Sequence, residues 1–414
     1  MRAFAYPTDL VDHLGRTWPA DLPPDPLARH WNEVIAVAYQ TSMTREEERP
    51  VRLRILLASE GDLREASSND TLHVMRFDRS RPFSVEELRR LAPCTPFEAS
   101  LVVVSPDEQG ALRVWAIAWS GTSWLAPMLG GRRRRTFTTE RTLIQVAGPG
   151  RVAVHAGDRF LAAIEQGKLM TAATNVFASR WMPAIFASAR DEMVAEYDQR
   201  RHGEGVPIDE TLIRSVSQQL LKRAIWLIRS AHHGGMLLFV EAAQADELLA
   251  GPLRAKYCFS PGESRARYRT LVRRIIDEMV RTRATTVTGR DFLSSTQELG
   301  DVEAAIFELS RLMAALAAVD GAVLLTKSFE ILAAGVEVLG ERGDPLRIQR
   351  ALDLEGTYLL DDHEENVGTR HRAAYRFVQA HPRGLATVIS QDGSIRFVTS
   401  LDGVITYFEQ QMVG

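Results

Sequence analysis

The chain of 414 residues has few of the features that mark several large classes of protein. Its two cysteines, Cys94 and Cys258, lie far apart and form no CxxC pair, so we expect neither a disulfide framework nor a zinc site, and a reducing cytoplasm fits best. No run reaches the roughly 18 apolar residues that a membrane-spanning helix needs, and the polar amino terminus does not resemble a secretion signal. The formal net charge of -3 gives no indication of nucleic acid as a partner.

What the chain does contain is an ordinary globular composition, with 45% apolar and 25% charged residues over a length that suits two or three domains. The amino-terminal half combines helical patterns, at Val85–Leu91 and Phe160–Gly167, with short runs rich in Val, Leu and Ile. These runs predict strands at Val51–Ser59, Leu72–Phe77, Leu101–Ser105, Leu112–Ser120, Thr142–Val146 and Arg151–His155. The pattern indicates a separate α+β domain.

A break in the chain follows a polar helical stretch at residues 188–201. The sequence HGEGVP at 202–207 contains two glycines and a proline, which interrupt regular structure. We therefore predict one domain at residues 1–205 and a second domain at residues 206–414.

The second predicted domain alternates helices with apolar strands, which indicates a layered α/β unit. Asp209 is placed to cap a helix that runs to Ser230. Further helices are expected at 264–282, 301–318 and 370–380. Strands are expected at 236–241, 322–325, 331–339, 386–390 and 394–399, and a polar loop at 340–367.

Three short motifs in this domain are suited to nucleotide chemistry. In the first, Asp320-Gly321-Ala322, an acidic residue stands where a helix ends and a strand begins. Its carboxylate suits Mg²⁺ or Mn²⁺, and the glycine beside it lets a nucleotide approach the backbone. An Asp-Gly pair is also a common turn, and for the triplet alone the turn is the simpler interpretation.

The second motif is Gly368-Thr369-Arg370-His371-Arg372, at the predicted start of the helix that ends near residue 380. Free N–H groups and the helix dipole favour an anion at such a position. The two arginines add forked donors that suit phosphate, and the threonine and histidine add further donors. A solvated basic turn is the alternative, but cations at a helix amino terminus oppose the dipole, so a nearby anion would explain them.

The third motif, Ser390-Gln391-Asp392, follows the predicted strand at 386–390. A hydroxyl and a carboxylate at a strand end can reach phosphate or a metal ion. A hairpin turn with Asp392-Gly393 at its tip accounts for the spacing equally well.

Taken in order, the three motifs resemble the bacterial diadenylate cyclase domain. The resemblance is closest in AAVDGAVLL (317–325), ILAAGVEVL (331–339) and GTRHRAA (368–374), and AHHGGMLLFVE (231–241) resembles the start of the same domain. The resemblance covers about half of the chain, and it implies a mixed sheet flanked by helices. It is closest to soluble members of the family that carry an amino-terminal sensor domain.

At matching positions the resemblance implies that Asp320 binds the catalytic Mg²⁺ or Mn²⁺ and helps to position the attacking 3′-hydroxyl. Gly321 and Ala322 would line the ribose and base, and Val338 would lie against adenine. The residues implied for the triphosphate are Gly368, Thr369, Arg370, His371, Arg372 and Ser390. Asp392 is the second candidate metal ligand.

The activity that the resemblance implies is the condensation of two ATP into cyclic di-AMP and two pyrophosphates, with two catalytic domains face to face in a homo-oligomer. The chain departs from the family at Gln391 and Asp392, where the family commonly has two glutamates. This departure leaves an alternative, a degenerate module that binds ATP or a cyclic dinucleotide and reports on it.

The amino-terminal domain is expected to bind an unknown small ligand or protein. The run of four arginines at 132–135 could be a site for an anionic ligand or a solvated loop. Trp115, Trp119 and Trp124 could enclose an aromatic ligand or pack into a core.

Overall fold

The computed structural model describes most of the chain. The described residues are 4–66, 72–121, 141–157, 159–165, 167–171, 175–202, 205–281, 285–295, 299, 301–339, 346–363 and 367–410. No helix within these ranges is long and apolar enough to cross a membrane.

The described residues form two compact units, of which the first ends at Thr171 and the second begins at Asn175. The polar helix expected at 188–201 belongs to the second unit, although it precedes the domain boundary that the sequence predicts. The division between the compact units therefore precedes the break at 202–207.

The first unit is built around an eight-stranded mixed sheet. Its helices are α1 (Pro7–Thr17), α2 (Trp31–Ser42), α3 (Glu60–Ala66) and α4 (Val85–Leu91), with 3-10 turns at Ala28–His30 and Ala92–Cys94. Its strands are β1 (Arg45–Glu46), β2 (Arg49–Pro50), β3 (Leu53–Leu57), β4 (His73–Pro82), β5 (Ser100–Pro106), β6 (Leu112–Trp119), β7 (Thr142–Gly148), β8 (Arg151–Ala156), β9 (Arg159–Glu165) and β10 (Lys168–Thr171). Strands β1 and β2 pair with each other, and the remaining strands follow the order β10-β9-β8-β7-β3-β5-β6-β4, in which β3 and β5 are parallel.

Both faces of this sheet are apolar, because the strands alternate buried side chains to either side. Ile55 and Ile144 belong to a core shared with α1 and α2. Leu56 and Leu143, one residue along each strand, belong to a separate cluster on the opposite face. Because both faces of these strands are buried, several of the strands are continuous apolar runs in the sequence.

Each strand predicted in the first unit overlaps an observed strand, so these predictions are confirmed. The helix predicted at Phe160–Gly167 is wrong, because Arg159–Glu165 forms strand β9 between β8 and β10. The apolar run Leu161–Ile164 is too short for its periodicity to separate a helix from a strand. Pairing with two neighbouring strands decides in favour of the strand.

The second unit contains a nine-stranded mixed sheet with helices packed against it. Its helices are α5 (Trp181–Ile185), α6 (Ala187–Arg200), α7 (Glu210–Ser230), α8 (Ala245–Ala250), α9 (Arg267–Val280), α10 (Gly289–Ser294), α11 (Asp301–Leu316) and α12 (Thr369–Ala380), with 3-10 turns at Val176–Ala178 and Ala242–Gln244. Its strands are β11 (Gly235–Val240), β12 (Leu253–Cys258), β13 (Ala322–Thr326), β14 (Ile331–Val338), β15 (Ile348–Ala351), β16 (Leu359–Asp362), β17 (Leu385–Ile389), β18 (Ile395–Leu401) and β19 (Val404–Gln410). The strand order is β12-β14-β13-β11-β17-β18-β19-β15-β16, in which β11 and β13 are parallel, as are β15 and β19.

Strand β11 shows how the layers of this unit pack. Leu238 belongs to the apolar core that α12 covers. Gly235 faces the other layer, where a β-carbon would lie 2.9 Å from Ile228 of α7 and 3.1 Å from Ala317 just after α11. Helix α7 begins where the sequence predicts, since the carboxylate of Asp209 accepts the Thr211 N–H at 2.7 Å.

The predicted α/β class, with a mixed carboxy-terminal sheet flanked by helices and an α+β amino-terminal unit, is confirmed. The prediction of a polar loop throughout 340–367 is wrong, because β15 and β16 form a hairpin that extends the sheet beyond β19. Leu359 and Leu360 of β16 are exposed at the sheet edge. The usual alternation of buried and exposed side chains is therefore weak in this hairpin.

Candidate functional site

Strand register brings the first and third motifs to one end of the nine-stranded sheet. Strand β11 runs parallel to β13 and antiparallel to β17, with Gly235 opposite Ile389. Strand β14 is antiparallel to β13. The starts of β11 and β13 and the ends of β14 and β17 therefore lie side by side. Asp320 precedes β13 and Ser390 follows β17, so both motifs belong to this end.

The turn at Asp320 is tightly packed behind its backbone, while its carboxylate faces solvent. Gly321 has a φ of +118°, and a β-carbon there would lie 2.6 Å from the carbonyl carbon of Gly335. Glycine is the residue that tolerates both this conformation and this approach. The Lys256 ammonium donates to the Asp320 carbonyl oxygen at 2.9 Å and lies 3.7 Å from Oδ2 of the carboxylate. Because the Asp320 side chain is 93% exposed, its carboxylate is accessible to a ligand.

Asp320 suits a metal ion that is carried by a nucleotide. In the described ranges no group of three or more His, Cys, Asp or Glu side chains could hold a metal ion. Mg²⁺ usually keeps several waters and is bound through one or two carboxylates together with substrate phosphates. A single accessible carboxylate therefore fits Mg²⁺ or Mn²⁺ bound to a triphosphate, whereas a site made by protein ligands alone is not formed there.

Ala322 and Val338 lie on adjacent strands at the same sheet end. Ala322 is buried and pairs with Val336, and Val338 is half-buried at the end of β14. Val338 packs at the margin of the core under α12. Since the Ala322 side chain is inside the core, a nucleotide would meet this position through the backbone.

Helix α12, which carries the second motif, starts without a side-chain cap. Its N-cap residue, Gly368, has extended backbone and no side chain that could accept a hydrogen bond. A β-carbon built on Gly368 would meet no heavy atom within 4 Å, so the space around this backbone is open. The His371 and Arg372 N–H groups donate to the Gly368 carbonyl at 3.1 and 3.2 Å, which leaves the Thr369 and Arg370 N–H groups without an acceptor in the described chain and available to an anion.

The two arginines of this first turn are not neutralised by acidic residues of the described chain. Neither Arg370 nor Arg372 forms an ion pair with a described carboxylate, in contrast to Arg265, which pairs with Glu330 at 2.6 Å. Cations at a helix amino terminus are unfavourable with respect to the dipole. The turn thus concentrates positive charge and forked donors, which is the arrangement that phosphate groups require.

Arg370 connects the helix start with the sheet end. A β-carbon on Gly234 would lie 2.8 Å from Nη1 of Arg370 and 2.9 Å from the Ile389 carbonyl oxygen. Gly234 has a φ of +66°, in the region that favours glycine. The residues before β11, the first turn of α12 and the end of β17 are therefore in contact.

His371 is held in the neutral state. Its pKa is lowered to about 4, first by burial and then by the guanidinium groups of Arg396 and Arg370, against an opposing effect of Asp392. Its Nε2 atom is buried and has no hydrogen-bond partner within the described part of the chain. A neutral imidazole can donate or accept a hydrogen bond at this position but adds no charge.

The third motif forms the turn between β17 and β18. The Ser390 N–H donates to the Ser394 carbonyl at 2.8 Å, and the Gly393 N–H donates to the Ser390 carbonyl at 3.0 Å. The Asp392 carboxylate accepts the Ser394 N–H at 2.9 Å. The hairpin turn considered from the sequence is therefore observed, and Asp392 stabilises it while it also acts on His371.

The structure adds Gly234, Lys256 and Arg396 to the residues at this end of the sheet. The Arg396 side chain on β18 donates to the Tyr375 hydroxyl at 3.2 Å and lies over the Tyr407 ring, 4.4 Å from its centroid. Lys256 is 64 residues from Asp320 in sequence, so no local pattern could have paired them. The double glycine Gly234-Gly235 at the start of β11 was the one visible sequence signal.

The candidate ligand site of the first unit is described only in part. Arg132–Arg135 and Trp124 lie outside the described residues. The Trp115 indole donates to the Ala58 carbonyl at 3.1 Å and packs beside the apolar cluster, and Trp119 is 44% exposed. A ligand or partner of this unit remains a prediction.

Residues 20–118 match a family model described as probable sensor domain DACNV, a family found in diadenylate cyclases. No curated protein matches the chain.

Two solved structures show a distant likeness to this chain. A hypothetical membrane spanning protein from Bacillus cereus is 16% identical with a TM-score of 0.25, over 48% of this chain and 68% of that chain. A double mutant of DacA from Staphylococcus aureus is 11% identical with a TM-score of 0.23, over 46% of this chain and 87% of that chain. TM-scores this low do not establish a shared fold.

Proposed function

We propose that the second unit is a diadenylate cyclase, which condenses two ATP into cyclic di-AMP and two pyrophosphates, and that the first unit is a sensor that regulates it. The proposal depends above all on the first turn of α12, where Arg370 and Arg372 have no acidic partner in the described chain and the helix has no side-chain cap. The match of residues 20–118 to a probable sensor domain supports the regulatory part.

The reaction needs little chemistry from the protein beyond positioning and charge neutralisation. Each 3′-hydroxyl attacks the α-phosphorus of the opposite ATP, the new O–P bond replaces the bond to the β-phosphate oxygen, and the hydroxyl proton passes to solvent. Arg370, Arg372 and the first N–H groups of α12 would hold the triphosphate, and neutral His371 would donate a hydrogen bond. Mg²⁺ or Mn²⁺ held by Asp320 and the phosphates would offset the charge on the leaving pyrophosphate.

The product joins two nucleotides. Each copy of the second unit has one first turn of α12 and one Asp320, which would bind one ATP. Two copies of the second unit must therefore present their sites to each other, and a symmetric homodimer is the simplest assembly that achieves this. Self-association of the chain, at least during turnover, is part of the proposal.

A degenerate nucleotide sensor is the second candidate function. It is favoured by Gln391, which is uncharged, and by Asp392, whose carboxylate accepts a hydrogen bond within its own turn. In that case the chain would bind ATP or a cyclic dinucleotide without forming a new bond.

The test is incubation of the full chain with ATP and either Mn²⁺ or Mg²⁺, with products resolved by chromatography and mass. We expect cyclic di-AMP from the natural chain and about a hundredfold less from Asp320→Asn, because the variant loses the charge that would hold the metal ion. Asp402→Asn is the matched control, since Asp402 is exposed in the turn between β18 and β19. ATP binding without product would favour the degenerate sensor, and the absence of both binding and product would contradict both functions.

A further inference from the structure

Lys256 reaches Asp320 across a neighbouring strand. It lies on the edge strand β12, between Ala255 and Tyr257, which pair with Val336 and Ala334 of β14. This register places Lys256 opposite Gly335, and its side chain continues beyond β14 to the turn before β13. There its ammonium donates to the Asp320 carbonyl oxygen at 2.9 Å and lies 3.7 Å from the carboxylate.

Two glycines make this path possible. A β-carbon on Gly335 would lie 2.9 Å from Cδ and 3.0 Å from Cβ of Lys256, so a side chain at Gly335 would block the lysine stem. A β-carbon on Gly321 would in turn collide with the Gly335 backbone at 2.6 Å. Both glycines have φ values in the left-handed region, +65° and +118°. The backbone of β14 is thus shaped so that the lysine and the Asp320 turn meet.

The positive charge of Lys256 affects how the Asp320 carboxylate would bind a metal ion carried by a nucleotide. An exposed ion pair contributes little to stability, so the lysine is not needed to hold the fold. The Asp320 carboxylate is nevertheless an accessible acidic group at the sheet end, and a cation beside it changes how strongly it attracts a second cation. The hydrogen bond to the carbonyl oxygen also fixes the peptide from which the carboxylate projects.

We propose that Lys256 is a positioning residue for Asp320, which it orients through the carbonyl hydrogen bond while competing with the divalent metal ion for the carboxylate. This inference rests on the proposed function and assigns to Lys256 a part in setting the metal requirement of the site. Loss of the ammonium should therefore have two opposite effects. Turnover falls because Asp320 is no longer oriented, and the metal concentration needed for nucleotide binding falls because a competing cation is gone.

The variant that tests this is Lys256→Met, which keeps an unbranched stem over Gly335 and removes the ammonium. The matched control is Arg254→Met, which removes a cation from the same strand where it pairs with Glu337 and does not contact Asp320. The probe is α,β-methylene-ATP, an ATP analogue that cannot release pyrophosphate, titrated calorimetrically at a series of Mn²⁺ concentrations. We expect the half-saturating Mn²⁺ concentration to fall about two- to fivefold in Lys256→Met and to be unchanged in the control.

Hydrogen exchange of the nucleotide-free protein provides a second readout that does not depend on turnover. Exchange in segment 319–323 should become faster in Lys256→Met and stay unchanged in Arg254→Met, with the thermal midpoints of both variants confirming that they fold. Unchanged exchange together with an unchanged Mn²⁺ requirement would overturn the inference. If the natural chain neither binds the analogue nor converts ATP, the proposed function fails, and the exchange experiment still decides whether Lys256 fixes the Asp320 turn.

Discussion

Gly234 and Arg370 lie so close that a β-carbon on Gly234 would be 2.8 Å from Nη1 of the arginine. The contact joins the residues before β11 to the first turn of α12. We therefore predict that Gly234→Ala displaces the Arg370 guanidinium and weakens ATP binding by about tenfold or more, since hydrogen bonds to charged groups contribute about 1.5–3 kcal/mol. Calorimetric titration with α,β-methylene-ATP measures the effect.

The control for this prediction separates backbone strain from the contact. Gly205 also has a positive φ, +80°, but a β-carbon there would meet no heavy atom within 4 Å. Gly205→Ala therefore introduces similar backbone strain without touching an arginine. Equal nucleotide affinity in both alanine variants, with thermal midpoints near that of the natural chain, would show that Gly234 does not set the position of Arg370.

Arg372 is expected to bind phosphate directly, because it stands in the first turn of α12 without a described acidic partner. Arg372→Gln should weaken binding of α,β-methylene-ATP by about tenfold or more and should reduce its dependence on ionic strength. Arg376→Gln, one turn further along the same helix, changes the net charge equally and should have little effect. Similar losses in both variants would mean that the helix attracts nucleotide only through its overall charge.

The lowered pKa of His371 predicts how acid affects the second unit. The unfolded imidazole takes up a proton near its ordinary pKa of 6.5, whereas the folded one stays neutral down to about 4. The unfolded state therefore binds more protons in this range, and the stability linked to neutral His371 is complete above the unfolded pKa and is lost as the pH falls towards the folded pKa. His371→Gln should make the free energy of unfolding less sensitive to pH between about 6.5 and 4, as measured by urea unfolding.

The exposed His363 provides the comparison for this measurement. His363→Gln removes a histidine from the same unit without changing the environment of a buried ring. A pH dependence that is the same in both variants would contradict a buried neutral imidazole at position 371.

His155 in the first unit is a fully buried imidazole with no hydrogen bond to either ring nitrogen within the described chain. Its pKa is lowered to about 3 by burial and by the neighbouring Arg54 guanidinium. A buried polar group without a partner costs about 1–3 kcal/mol, and an apolar group of similar shape avoids this cost. We predict that His155→Leu raises the midpoint of thermal unfolding of the first unit, most clearly at acidic pH, as measured by calorimetry.

His155→Gln tests whether the gain comes from removing polarity, because glutamine restores unsatisfied polar atoms and should not raise the midpoint. A lower midpoint in His155→Leu would contradict the prediction and would indicate that the imidazole makes an interaction that stabilises the unit.

Local pattern predicted the elements whose signals are contained within one segment. The Asp209 cap and the apolar spacing after it placed α7 correctly, and apolar runs bounded by turn residues located β13 and β17. The pattern failed for β9, where a short apolar run suits a helix or a strand. It also failed for β15 and β16, whose hairpin is partly exposed at a sheet edge.

The sequence by itself determined the chemistry available to the site, which is a carboxylate beside a glycine and two arginines at the start of a helix. These features follow from neighbouring residues and need no knowledge of the sheet. Only the tertiary structure decided that Lys256 reaches Asp320, that Gly234 lies against Arg370 and that Arg396 lowers the pKa of His371. The Lys256 and Gly234 contacts span long stretches of sequence, and both contacts and the effect of Arg396 depend on strand order and register, which the periodicity of a single segment does not encode.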